Sequence, residues 1–237
     1  MDTQPRSKLP SWLPLVVGTV FIALFTVLGA WQISRGLEKR ASENLFHGET
    51  NYATWKNSME VRPFQRLEAT GRFDNDHQVL LDNITMKSRY GAYVITPLIG
   101  LDGEPVLLVN RGWVEKGPNR PIETAQLEVP ATPVTVRGRA GWLPRAGMKM
   151  GDAFAPGQEW PKTAVYPSSD EVAAALGREI QPFVLLMDEG EANGFYRKWE
   201  PPGFGPDKHF GYALQWFAMG VVLSALLIWN HRKKKFK

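Results

Sequence analysis

The 237 residues carry 28 Lys+Arg against 24 Asp+Glu, a formal charge of +4 with a sequence pI near 9.3, and no cysteine. Five of the bases (Arg232, Lys233, Lys234, Lys235 and Lys237) fall within residues 230–237, which hold no acid, so the remainder is near neutral and a basic nucleic-acid-binding face is excluded. The missing cysteines exclude disulfides, thiolate metal sites and cysteine nucleophiles.

In chain order, residues 1–12 form a short tail containing Arg6 and Lys8, and residues 13–31 are the first of two stretches without a charge, the second being 210–229. At about 1.5 Å per residue, roughly 20 residues in a helix cover a hydrocarbon core of about 30 Å, and neither stretch has the polar face of a soluble-domain helix. Both are expected to span a membrane, which excludes a soluble enzyme, a wholly disordered chain and a collagen-like chain. A cleaved signal peptide is the alternative for the first stretch, with Gly29-Ala30 as small residues near its end; its apolar run is longer than a signal core, and retention is expected. The bases of 230–237 put the C-terminus in the cytoplasm, and two spans return the N-terminus to the same side, leaving 32–209 outside. Arg35, Lys39 and Arg40, just after the first span, argue mildly the other way.

Residues 32–47 continue the first helix out of the membrane. The period then changes to short apolar or alternating runs at 66–73, 78–81, 92–99, 105–114, 134–142 and 183–187, divided by Asp102-Gly103, Gly117-Pro118 and Pro130 to Pro133, which predicts strands and turns. One helix is expected at 169–176, capped by Ser168 and stopped by Gly177. Residues 146–161 and the Pro/Gly-rich 200–206 are expected to be loops. The resulting fold class is two transmembrane helices flanking a mostly antiparallel β (α+β) extracytoplasmic domain, residues 32–209, with a basic tail at 230–237.

No catalytic constellation emerges. The four histidines (His47, His77, His209 and His231) are not at metal-ligand spacing, and no phosphate-binding loop or nucleophile elbow is present. The outer edge of the membrane is the candidate site, because it brings Trp31, Gln32 and Arg35 level with His209, Tyr212, Gln215 and Trp216. His209, Tyr212 and Trp216 share one helix face, and so do Trp31 and Arg35. Interfacial anchoring accounts for Trp and Tyr there. A histidine and a glutamine just inside a span also admit a sharper reading: an imidazole can ligate haem iron, aromatic rings can stack on a macrocycle and an arginine can meet a propionate. Arg111-Gly112-Trp113 after Leu107-Leu108-Val109 is read as a tight turn at a strand end packed by an indole, ahead of a partner contact.

Gly29-Ala30-Trp31-Gln32 with Arg35, Gly71-Arg72-Phe73, Thr96-Pro97-Leu98, Asn110-Arg111-Gly112-Trp113-Val114 and His209-x-x-Tyr212-Ala213-Leu214-Gln215-Trp216-Phe217 together resemble the surfeit locus protein family of cytochrome oxidase assembly factors. The resemblance runs from about residue 13 to 229. It implies a protein of the bacterial inner (plasma) membrane, or of the mitochondrial inner membrane in a eukaryote. Such a protein assists biogenesis of a haem-copper terminal oxidase when haem a reaches the catalytic subunit. It implies no enzymatic activity, the oxidase catalytic subunit as partner with other assembly factors possible, and His209 as the haem-iron contact; Tyr212, Trp216 and Trp31 as packing walls and Arg35 as a propionate partner follow from their shared depth on the two helices. A cofactor-free chaperone or accessory subunit of the oxidase is the alternative.

Overall fold

The computed structural model describes residues 10, 12–48, 51–56, 59–101, 103–117, 122–144, 151–201 and 203–235. The N-terminal tail with Arg6 and Lys8, Asp102, Pro118, the first part of the 146–161 loop, Pro202 and the last two tail residues lie outside these. The chain divides into two compact units, Met1–Asn44 with Pro201–Lys237, and Leu45–Glu200.

The first unit is built from helix α1 (Leu13–Gly48) and helix α3 (Pro206–Lys235). Both are long and apolar enough to cross a membrane, with mean hydropathy of 2.3 and 1.7 over their most apolar windows. Only 11% of each window is buried within the chain, the reverse of a core helix in a soluble protein, which hides its apolar side chains among its own neighbours. α1 runs on past its apolar stretch to Gly48, as the helix formers of 32–47 predict.

The second unit is a β domain of strands β1 (Ala53–Thr54), β2 (Arg66–Phe73), β3 (Val79–Met86), β4 (Arg89–Gly100), β5 (Gly103–Glu115), β6 (Val134–Gly141), β7 (Lys162–Ala164) and β8 (Ile180–Met187), with helix α2 (Ser169–Leu176) before the last. The sheet order is β1-β2-β6-β8-β5-β4-β3-β7, and β2 also pairs with β4, so β2, β6, β8, β5 and β4 close into a barrel. Closure leaves those strands no free edge. The pairings are antiparallel except β1–β2, β3–β7 and β5–β8. The β5–β8 pair is parallel because 105–114 and 183–187 are separated by a long excursion through β6, β7 and α2, where a short hairpin would have given the antiparallel arrangement.

The apolar run at the start of β5 has period-2 burial on both faces. Leu107 and Val109 join Leu67, Phe73, Leu98, Leu185 and Met187 in one cluster. Leu108 joins Val79, Ile95, Val184 and Val172 of α2 in another. A strand covered on both sides needs an unbroken apolar sequence, where a half-exposed strand would alternate. α2 has the expected bounds: Ser168 and Glu171 form a reciprocal capping box, and Gly177 ends the helix at φ 65°.

Two differences from expectation have local causes. β3 continues to Met86 through an irregularity at Leu81/Ile84, with Asn83 at φ 63°, and reverses into β4 through Lys87-Ser88 at φ 48° and 62°, a tight two-residue turn made without the glycine that marks such turns in sequence. Arg111-Gly112-Trp113 does not end a strand. Trp113 pairs with Tyr93 and Asn110 with Ile95, so Arg111 and Gly112 together face Val94 in a bulge inside β5. Gly112 has φ 109°, and a Cβ there would stand 2.5 Å from Arg197 Cγ and 2.8 Å from the Tyr196 carbonyl oxygen. Gly112→Ala is therefore expected to lower the midpoint of thermal unfolding by about 5–10 °C in near-UV circular dichroism of the detergent-solubilised protein.

Candidate functional site

α1 and α3 run antiparallel along a seam in which glycines receive large side chains. A Cβ at Gly36 would lie 2.7 Å from the Phe210 ring, one at Gly29 2.7 Å from the Phe217 ring, and one at Gly18 2.5 Å from Leu227. The seam alternates, since Phe25 of α1 packs near Gly220 and sets its ring 5.8 Å from that of Trp216. Gly18, Phe25, Gly29, Gln32 and Gly36 on one helix, and Phe210, Ala213, Phe217, Gly220 and Leu227 on the other, follow the three-four spacing of packed helices. In lipid, helices associate through such close packing and interhelical hydrogen bonds rather than a hydrophobic drive.

One polar pair sits in the seam. His209 Nδ1 lies 2.8 Å from Gln32 Oε1. An amide oxygen only accepts, so Nδ1 carries the hydrogen, and in the neutral imidazole Nε2 then keeps its lone pair. This is the arrangement by which a second-shell acceptor fixes the tautomer of a metal-binding imidazole.

The seam gathers only part of the sequence-derived constellation. His209, Gln32 and Trp216 lie along it. Trp31 and Tyr212 are 52% and 54% exposed, Gln215 is exposed, and Arg35 is an outward side chain paired with Glu38 one turn away. Among the other histidines, His77 Nδ1 is 2.9 Å from Asp74, and His47 and His231 are exposed. Among the described residues no group of three His, Asp or Glu side chains is placed to hold a metal ion. Reading aromatic periodicity overlooked Gly29, Gly36, Phe210 and Phe217. Their sequence signal is two glycines seven residues apart on one helix and two phenylalanines seven apart on the other.

In the β domain, Arg111 and Trp113 are 1% and 9% exposed. The β5 bulge turns the Arg111 guanidinium inward. Its Nη1 donates to the Leu127 carbonyl at 2.7 Å, Gln78 Oε1 at 3.1 Å and Thr96 Oγ1 at 3.2 Å, and its Nε donates to the Asn193 carbonyl at 2.8 Å. The Phe195 and Phe73 rings lie 5.1 and 5.9 Å from its guanidinium carbon. Burial, followed by the neighbouring charge of Arg197, pushes its pKa down to about 10. The group stays protonated near neutrality. Its pKa is depressed on folding, so its destabilising contribution is fully present below about pH 10 and is relieved as pH rises from there toward the ordinary guanidinium range. Asn110 Oδ1 accepts from the Gly112 N–H at 3.0 Å, and Trp113 Nε1 donates to the Ile84 carbonyl at 2.9 Å. The Asn-Arg-Gly-Trp string thus works inside the domain.

A family model described as the SURF1 family matches residues 19–221. That range takes in the seam from Phe25 to Gly36 and from Phe210 to Gly220, the Asn110–Val114 string and His209. A protein of Monosiga brevicollis named "SURF1-like protein" is 25% identical over 249 aligned positions that cover 91% of this chain and 89% of its own.

Replacing Arg111 strands the acceptors gathered around it. Arg111→Met is expected to cost about 3–5 kcal/mol in thermal or chemical unfolding, and Arg111→Lys less. An unchanged unfolding midpoint would instead mark Arg111 as dispensable to the fold.

Proposed function

The chain belongs to the SURF1 family, a family of oxidase assembly factors rather than of catalysts, and from that premise we propose that it assists biogenesis of a haem-copper terminal oxidase by handling haem a on its way to the catalytic subunit. The observation that carries this reading is the His209–Gln32 hydrogen bond, which leaves the Nε2 lone pair of an imidazole available near one end of a helix pair built to sit in a membrane. The donor chemistry fits: His209 would hold the group through Nε2, and Gln32 would keep the ring in the matching tautomer. Haem, if bound, would supply an iron that takes a neutral imidazole nitrogen as a ligand.

The seam itself is filled by Phe210, Phe217 and Leu227, and the Trp31, Tyr212 and Arg35 side chains are exposed. That filling favours a second reading, in which the helices and barrel hold an oxidase subunit by contact alone. The two are separated by whether oxidase partners are retained in cells lacking haem a.

The positive-inside bias supports a topology with both termini in the cytoplasm and the barrel on the opposite face of a bacterial inner membrane, or of its mitochondrial counterpart. Bases concentrate beyond the apolar stretch of α3, while Arg40, one of those after the first apolar stretch, stacks its guanidinium 5.1 Å from the Phe210 ring centroid.

In protein purified from cells making haem a, His209→Ala is expected to abolish the Soret band and Gln32→Leu to weaken haem retention about tenfold; an identical band in wild type and His209→Ala removes the ligand role. A fluorescent or phosphatase reporter fused after Lys237 is expected to report a cytoplasmic C-terminus, and activity on the far side would reverse the topology.

A further inference from the structure

The β3–β4 turn holds a lysine against an aromatic wall. Lys87 and Ser88, at φ 48° and 62°, occupy a two-residue turn whose conformation asparagine and glycine adopt most readily. Its first position carries a long cationic side chain instead. Met86 and Arg89 flank the turn and pair with each other across it. The Lys87 Nζ lies 4.6 Å from the centroid of the exposed Tyr196 ring. Tyr196 is fixed through its backbone, its N–H donating to the Trp113 carbonyl at 3.1 Å and its carbonyl accepting from the Trp113 N–H at 2.8 Å.

The Trp113 indole adds a second aromatic surface. It is laid across β4 toward β3: a Cβ at Gly91 would stand 2.4 Å from its Cε2 and 2.6 Å from its Cζ2, and its Nε1 donates to the Ile84 carbonyl at 2.9 Å. The ring fits there only because residue 91 has no side chain. Met86, Lys87, Arg89, Trp113 and Tyr196 line a cavity of about 360 Å³. All five and their chain neighbours are among the described residues. Three of the five offer aromatic or thioether surface and two are cations. Arg89 is paired with Glu115 at 2.9 Å. Lys87 has no carboxylate within ion-pair distance among the described residues, and its stacking on Tyr196 is the weak contact that an exposed ammonium makes.

We infer that this cavity binds a small aromatic carboxylate, its ring against Trp113, Tyr196 and Met86 and its carboxylate on the Lys87 ammonium. An apolar pocket alone takes any apolar group. The cation at its side selects one that carries a negative charge, because ammonium and carboxylate meeting in a partly enclosed space form a charge-assisted hydrogen bond. A ligand ring meets indole and phenol in the offset or edge-on arrangements that aromatic pairs favour, and the thioether adds a sulfur–aromatic contact. The volume is near the low end for ligand pockets, which suits one or two fused rings and is too small for a nucleotide or a tetrapyrrole. The positive-φ turn serves the same end, keeping Lys87 beside Tyr196 at a position where asparagine or glycine would be easier. All these residues belong to the β domain, so the inference stands apart from any role of His209.

Isothermal titration of the full-length protein in detergent, with protein-free micelles as the blank, tests it using naphthoate as the probe. Saturable one-site binding is expected. Lys87→Asn removes the ammonium while supplying a residue that suits the turn, and is expected to weaken binding about tenfold with an unfolding midpoint unchanged or raised. Should that variant misfold, Lys87→Gly, which also accepts positive φ, is expected to give the same weakening. Naphthamide, with the same rings and no charge, is expected to bind about tenfold more weakly than the acid, and cyclohexanecarboxylate, with the charge and no aromatic ring, also more weakly. No saturation by naphthoate at about 5 mM overturns the inference. So does equal affinity in wild type and Lys87 variant, or binding of either analogue as tight as that of naphthoate. Saturation by an acetylated peptide ending in phenylalanine, with none by naphthoate, assigns the pocket to a protein partner and equally overturns it.

Discussion

A single guanidinium, that of Arg111, fixes the barrel. It has no carboxylate among its hydrogen-bond partners. It is held by carbonyl oxygens of the segments around Leu127 and Asn193, by Gln78 and Thr96, and by two aromatic faces. Those contacts tie β4, the lead-in to β3 and two irregular segments to β5. Desolvating the charge is costly, as its lowered pKa records, and the penalty is tolerable only while every acceptor stays in place. The β5 bulge exists in service of this arrangement, because a regular strand would carry Arg111 and Gly112 to opposite faces in step with Val94 and its neighbours. Arg139 and Arg197 repeat the device on a smaller scale, the first donating to the Phe46 carbonyl and the second to the Glu189 and Glu191 carbonyls at 2.7 and 2.8 Å. In a chain without cysteine, these arginine clamps on loop carbonyls do the tying that disulfides do in many exported domains.

The helix pair is organised by a different constraint. Apolar surface is already satisfied by lipid, so the two helices gain nothing by hiding it from each other. What they gain is contact, made by letting Phe210 and Phe217 fill the space that a side chain at Gly36 or Gly29 would occupy. A hydrogen bond between Gln32 and His209 then closes one end of the seam, where both groups would otherwise face hydrocarbon or headgroups unpaired.

Sequence patterning located the elements well and their partners poorly. The bounds of β2 and α2 were legible because alternation, the Ser168–Glu171 box and Gly177 are local signals. β7, three residues long in a Gly/Pro-rich stretch, has no period to read, and its pairing with β3 depends on long-range closure. The bulge at Arg111-Gly112 looked like a strand end because glycine after an apolar run has the same local signature in both settings. On the helices, the four-residue step from Trp31 to Arg35 puts both on one face by helix geometry alone. It does not say which face meets the other helix, since a segment apolar all round has no polar side to orient it. The glycines carry that information, because only they are selected by close approach.

The two most distinctive strings in the chain therefore do unlike work. In Asn110–Val114 the Asn110, Arg111 and Trp113 side chains each bond a backbone group of their own domain, so the string serves folding. The string opening at His209 lies on a helix whose neighbour supplies one partner, Gln32, and leaves one imidazole nitrogen with no bond to the described residues. That freedom is itself a product of packing. Gln32 reaches Nδ1 only because Gly29 and Gly36, on either side of it along α1, let α3 approach within van der Waals contact of the backbone. Bulk at either glycine would lengthen the hydrogen bond and release the tautomer. The chemistry available at His209 is thus set one turn away, at residues that have no side chain at all.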